Sequence, residues 1–67
     1  MHTRYEIRIA CALSDTIRSA FADFNAVQVG PRSTVLTGDV PDQSALHGVL
    51  ARLGDLGIEI TEVRPEP

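Results

Sequence analysis

The stretch VPDQSALHGVLARLGDLGIEITEV, residues 40–63, decides the fold because it predicts a complete helix followed by a strand. Its apolar residues recur every three or four positions, which is typical of a helix that packs one face against a core. Asp42 is the predicted N-cap, with Pro41 at the first helical position as the alternative. Gly57 is placed to adopt positive φ and end the helix in a Schellman motif. The pattern therefore predicts a helix over about 42–56.

Two segments alternate between apolar and polar residues, which is typical of strands with one buried face. The segment that follows the helix has Ile58 and Ile60 on its inward side. The segment near the start of the chain places four residues on one face, namely Tyr5, Ile7, Ile9 and Cys11.

A second helix is predicted over about 14–24. Ser14 is its expected N-cap, and Asn25 can end it in a left-handed conformation. Its apolar residues again follow helical spacing; they are Ile17, Ala20, Phe21 and Phe24.

A hairpin is predicted between the two helices. Val27 and Val29 alternate around Gln28, and Val35 and Leu36 follow the turn. The turn itself is Gly-Pro-Arg-Ser, residues 30–33, in which proline fixes φ and glycine permits the bend.

The predicted order is therefore β-α-β-β-α-β. Two βαβ units joined by a hairpin give an α+β, ferredoxin-like sandwich. We expect an antiparallel sheet of strand order 4-1-3-2 with both helices on one face. The chain is predicted to be one domain over residues 1–67, with a flexible tail over 64–67. The predicted core is Ile7, Ile9, Ile17, Phe21, Val49, Leu50, Leu53, Ile58 and Ile60.

Size and composition favour an oligomer. A chain of 67 residues buries only about 60% of its unfolded surface, so a single core is marginal. Cys11 is the one cysteine in the sequence, so no internal disulfide can help. We therefore predict a homodimer.

Charge and hydropathy exclude two classes of partner. The formal net charge of −3 argues against nucleic acids and anionic membranes, which require a basic surface. No apolar run approaches the roughly 20 residues that span a bilayer. The first ten residues lack the apolar segment of a signal peptide, so the sequence predicts a cytoplasmic protein.

The sheet face opposite the helices is the first candidate binding surface. Its expected side chains include Glu6, Arg8 and Gln28, together with Glu59 and Thr61 from the last strand. The hairpin contributes either Thr34 and Leu36 or Val35 and Thr37. Glu–Arg pairs across such a face are equally compatible with a solvated surface and with a docking surface for a second copy or a partner protein.

The loop between the first strand and the first helix is the second candidate site. Cys11 and Ser14 lie in it, and this loop would serve a small-ligand or metal-binding regulator. Copper carriers of this fold class need a pair of thiolates, whereas the segment ACALSD has one cysteine. The sequence therefore predicts no metal and no cofactor, and Cys11 is interpreted as a small buried apolar residue.

His47 is the third candidate. It stands beside the apolar stripe of the second helix, and the residue four positions later is Ala51, which cannot share a metal. Gly48 beside it is unusual within a helix and would permit close approach of another segment. An enzyme would require polar groups that converge on a pocket, and the sequence indicates no such catalytic set.

Residues 33–67 resemble short actinobacterial proteins of uncharacterised function, and the stretch YEIRIACALSDTIRSAF, residues 5–21, resembles them more loosely. The shared pattern is Thr-Val-Leu-x-Gly, then Asp-Gln-x-x-Leu-His-Gly-x-Leu-Ala, then Leu-Gly and a final strand. The resemblance implies the same fold and marks Asp42, Gln43, His47 and Gly48 as pattern positions, but it implies no activity.

The leading hypothesis is a non-enzymatic interaction or regulatory module that self-associates and binds a partner protein or a small effector. Its candidate binding residues are Glu6, Arg8, Cys11, Ser14 and His47. The alternatives are the small-ligand or metal-binding regulator around Cys11 and Ser14, and a small dimeric enzyme of unknown reaction.

Overall fold

The computed structural model describes residues 3–66 and has the predicted β-α-β-β-α-β order. The α+β class, the four antiparallel strands and the two helices are confirmed. The elements are β1 (Thr3–Ile9), α1 (Asp15–Ala20), β2 (Asn25–Gly30), β3 (Ser33–Val40), α2 (Gln43–Asp55) and β4 (Ile60–Pro65).

The sheet has the order β2-β3-β1-β4, so β1 and β3 are central and β2 and β4 are its edges. The predicted order 4-1-3-2 counts the strands from the opposite edge. Both helices cover the same face, because Ile17 of α1 and Leu53 of α2 belong to one cluster with Ile7 and Leu36 of the central strands.

The helix ends follow local signals. The Ser14 hydroxyl accepts a hydrogen bond from the Ile17 amide at 3.3 Å, and the Asp42 carboxylate accepts one from the Ala45 amide at 2.8 Å. Gly57 has φ of 72°, as a Schellman motif requires. The predicted caps at Ser14, Asp42 and Gly57 are confirmed.

The first helix is shorter than predicted. It ends at Ala20, and Phe21 leaves helical geometry with φ of −125° and ψ of 50°. Asn25 is not a left-handed cap, because it begins β2 opposite Thr37; among residues 3–66, positive φ occurs only at glycine. The chain turns early because Phe24 packs on the sheet, where its ring lies edge-on to Phe21 at 6.4 Å between centroids.

An arginine of α2 completes the end of the short helix. Nη1 of Arg52 donates to the Ala20 carbonyl, and the guanidinium lies 5.2 Å from the centroid of the Phe21 ring. The α1 C-terminus therefore gains a hydrogen-bond donor and a favourable positive charge from the neighbouring helix.

The core largely agrees with the prediction. Leu50, Ile58 and Ile60 are only partly buried, whereas Leu36 of β3 was not in the predicted core and is fully buried. The buried apolar residues are Ile7, Ile9, Ile17, Phe21, Leu36, Val40, Leu46, Val49 and Leu53.

The phase of β2 differs from the prediction. Ala26 packs against the core, whereas Val27 and Val29 are 48% and 53% exposed. Gln28 shares the side of the sheet that carries the helices, because its partner on β3 is the buried Thr34. The prediction that Gln28 lies on the opposite face is therefore wrong.

A bulge changes the phase of β4. Ile9 pairs with Ile60 and Arg8 with Glu62, which leaves Thr61 as the extra residue. Its hydroxyl donates to the Arg8 carbonyl at 3.1 Å. Beyond the bulge Val63 contacts the core, so Glu62 and Arg64 lie on the side opposite the helices, which a regular alternation through Glu59 and Thr61 does not predict.

The strand also continues further than predicted. Arg64 and Pro65 pair with β1, and the Glu66 amide donates to the Arg4 carbonyl at 2.7 Å. Residues 64–66 of the predicted tail are therefore hydrogen-bonded to β1; Pro67 lies outside the described range.

Within residues 3–66, no helix is long and apolar enough to cross a membrane.

We predict that Leu53→Ala lowers the free energy of unfolding by about 2–5 kcal/mol, because Leu53 is fully buried between the helices and the sheet. Urea denaturation at a fixed protein concentration measures the change. Leu56→Ala is the matched control, since Leu56 is 43% exposed, and it should cost clearly less. Equal losses for the two variants would contradict this packing.

Gly38→Ala should destabilise the fold by about 1–3 kcal/mol, because of overpacking. A Cβ at Gly38 would stand 2.9 Å from Cδ2 of the Phe24 ring. Gly48→Ala is the control: a Cβ there meets nothing within 4 Å, so a gain of about 0.5–1 kcal/mol is expected from helix propensity. Thermal melts of both variants would disprove the Phe24 contact if Gly38→Ala proved as stable as the wild type.

Candidate functional site

The open face is the side of the sheet opposite the helices, and its composition changes from one edge to the other. One row across the strands runs Val27, Val35, Arg8 and Glu62, and the next runs Asn25, Thr37, Glu6 and Arg64. The half formed by β2 and β3 is therefore uncharged in these rows, and the half formed by β1 and β4 is charged.

Glu6 is the centre of the charged half. Nε and Nη2 of Arg64 both donate to the same Glu6 oxygen, at 3.2 and 3.0 Å. Arg8 Nη2 stands 3.8 Å from that oxygen, and Arg8 Nε lies 3.7 Å from Glu62. The Glu6 side chain is only 17% exposed, so these four residues form a connected network and not isolated surface pairs.

A second group of charges lies at the far end of the same face. Arg4 stands 3.6 Å from Asp39 and 3.7 Å from Glu66. Arg4 and Asp39 are both more than half exposed, and such pairs contribute on the order of 0–1 kcal/mol. The arginine and carboxylate side chains of the open face therefore largely neutralise one another.

The uncharged half is where apolar surface remains in contact with solvent. Val27 and Val29 of the edge strand are about half exposed, beside the half-buried Val35. These two are among only three large apolar residues that are exposed within residues 3–66, the third being Leu56.

The loop around Cys11 and Ser14 is held by internal hydrogen bonds. The Thr34 hydroxyl donates to the Cys11 carbonyl at 2.7 Å, and the Gln28 side-chain oxygen accepts from the Leu13 amide at 3.2 Å. Ser14 uses its hydroxyl as the cap of α1. Cys11 is a half-buried free thiol, and burial raises its pKa above the usual range.

His47 lies apart from the other predicted site residues. It is exposed on α2, in the helical layer, whereas Glu6 and Arg8 are on the opposite side of the sheet. Within residues 3–66, no three His, Cys, Asp or Glu side chains come together as metal ligands. Gly48 is also exposed, and no segment of the described chain approaches it.

A small cleft of about 140 Å³ lies where α2 begins. It contains none of the predicted site residues, and its one carboxylate, that of Asp42, already caps the helix. The lining residues are Thr3, Tyr5, Val40, Pro41, Asp42 and Gln43.

Residues 4–64 match the model of a protein family described as Domain of unknown function (DUF8691). The chain belongs to this family. The match covers all six secondary-structure elements except the first residue of β1 and the last residue of β4. Comparison with curated proteins and with solved structures found no match.

The sequence therefore located part of the open face. It predicted Glu6 and Arg8, which the structure brings together, but it missed Glu62 and Arg64 as their partners because the bulge at Thr61 reverses the phase of β4. It also missed the exposure of Val27. The regular alternation from Asn25 to Gln28 could have predicted either phase.

We predict that Cys11 reacts slowly with iodoacetamide in the native protein. Its raised pKa lowers the thiolate fraction at a given pH, and the thiolate is the reactive form. The pH profile of the alkylation rate should therefore lie at higher pH than the profile in urea, which serves as the control. A native profile at lower pH would indicate an activated thiol and contradict the burial argument.

Proposed function

We propose that the protein is a non-enzymatic interaction module that self-associates, and that a second copy of the same chain covers its exposed valines. The observation that carries the proposal is the open face, where an ordered network of charges borders exposed valines. The dimer would in turn bind a partner protein or a small effector.

The size of the chain supports self-association. Only nine apolar residues are buried among those described, and a domain of this length is of marginal stability. Burial of Val27 and Val29 in a dimer would add apolar contact that the monomer lacks, at roughly 25 cal/mol per Å² of apolar surface.

The arrangement of charges supports a preference for a specific partner. Glu6, Arg8, Glu62 and Arg64 neutralise one another within the chain. A partner that covers the neighbouring apolar half therefore does not have to supply compensating charges. This favours a second copy over a strongly acidic or basic ligand.

The ferredoxin-like classification, the actinobacterial origin and the cytoplasmic location form part of the same proposal. The element order and the central position of β1 and β3 support the classification. The resemblance of residues 33–67 supports the origin. The single unpaired cysteine is compatible with a reducing compartment.

The contacts favour this function over the regulator and over the enzyme. In the loop around Cys11, the Ser14 hydroxyl and the Cys11 carbonyl already have partners within the chain. In the cleft at the start of α2, the Asp42 carboxylate is bound to the helix. These three polar groups are thus explained by the stability of the fold.

We expect a dimer from light scattering behind a sizing column over a concentration series. His47→Ala is the control, because His47 is exposed on the helical layer, and it should leave the molar mass and the thermal midpoint unchanged. A wild-type protein that stays monomeric at the highest concentration would refute self-association. Loss of the dimer in His47→Ala alone would move the interface to α2.

A further inference from the structure

The two edges of the sheet differ in their protection against pairing with another strand. β4 carries Glu62, Arg64 and Pro65, and its bulge lies at Thr61. Charges, proline and bulges are the features by which proteins block edge-to-edge association. β4 is therefore a guarded edge.

β2 has little of this protection. The strand contains no charged residue and no proline. It is in regular register with β3 from Asn25 to Gln28, and its bulge lies at Val29, at the hairpin end of the strand. As an edge strand it presents backbone groups that have no partner strand on one side.

The side chains of β2 suit a copy of the same strand. In an antiparallel pair related by a two-fold axis, a residue near the axis lies opposite the same residue, or a close neighbour, of the other copy. A charged residue there would therefore face a like charge and be repelled. Residues 24–31 carry no charge. Val27 lies on the open face opposite Val35, so the two copies would instead bring uncharged apolar side chains together there.

The residues that flank the strand decide its direction. Asp23 precedes β2 and Arg32 lies in the turn after it, and both are exposed. Neither takes part in the ion pairs found within residues 3–66. An antiparallel pair brings Asp23 of each copy to the end where Arg32 of the other lies, whereas a parallel pair would bring like charges together.

We infer that two copies of the chain join antiparallel through β2 and form one continuous eight-stranded sheet. This inference rests on the self-association proposed above and names the surface that it uses. Each copy has one unguarded edge, so the assembly closes at a dimer and does not extend into a filament.

The main competing arrangement is two open faces stacked on one another. Thr37 distinguishes the two, because it lies on the open face of the central strand β3, opposite Glu6 and Asn25. A stacked dimer would bury Thr37, whereas a pair joined through β2 leaves it at the surface.

Charge reversal at the ends of β2 is the first test. Asp23→Arg and Arg32→Asp should each weaken the dimer about tenfold, because each replaces two attractive contacts by two repulsive ones. The double variant should restore the wild-type dissociation constant. Asp55→Arg is the control for overall charge, since Asp55 is exposed at the end of α2, and it should have no effect.

A lysine on each candidate surface is the second test. Val27→Lys should abolish the dimer at concentrations where the wild type is fully dimeric, while the fold remains intact because Val27 is half exposed. Thr37→Lys should remain dimeric. Circular dichroism checks that each of the two variants is folded.

Hydrogen exchange measured by mass spectrometry then locates the interface. Between dilute and concentrated protein, amides of peptides that cover residues 24–30 should gain protection, and those of β4 should not. A wild-type monomer would refute both self-association and this inference. A wild-type dimer that dissociates with Thr37→Lys but ignores the charge reversals would preserve self-association and overturn pairing through β2.

Discussion

The pairing of β1 with β3 is the interaction on which the rest of the structure depends. Seven residue pairs join these strands, from Thr3 with Val40 to Ile9 with Thr34. Among them, Ile7 and Leu36 lie opposite each other with no exposed surface. Both helices pack on this pair, and β2 and β4 attach to its two sides. Every other element therefore gains its position from these two strands. β1 belongs to the first βαβ unit and β3 to the second.

The parts of the fold that could be predicted from sequence are those with local causes. Ser14, Asp42 and Gly57 act through hydrogen bonds or dihedral angles within a few residues, so their roles follow from short patterns. The end of α1 could not be predicted this way, because the chain leaves the helix to place Phe24 against Gly38 of a distant strand. A propensity argument extends the helical stripe through Phe24, and tertiary packing overrides it.

The candidate site was harder to predict because it depends on strand phase. A shift of one residue moves every side chain to the other face, and the bulge at Thr61 makes such a shift within β4. Glu6 and Arg8 were found because β1 is regular, whereas Glu62 and Arg64 lie beyond the bulge. The placement of Gln28 on the open face implies that Val27 points inward, whereas Ala26 packs against the core in the structure.

The ion pair between Glu6 and Arg64 joins residues 58 positions apart, so the sheet cannot be completed until the end of this stretch has been synthesised. β1 leaves the ribosome first, yet one of its two sides stays uncovered until β4 has been synthesised. Helices and the β2–β3 hairpin can form earlier from local contacts, whereas closure of the sheet must wait for the most distant partner. Such non-local pairing slows folding, because loop-closure entropy is lost before the contacts form. During that interval the nascent protein exposes the edge of its own central strand.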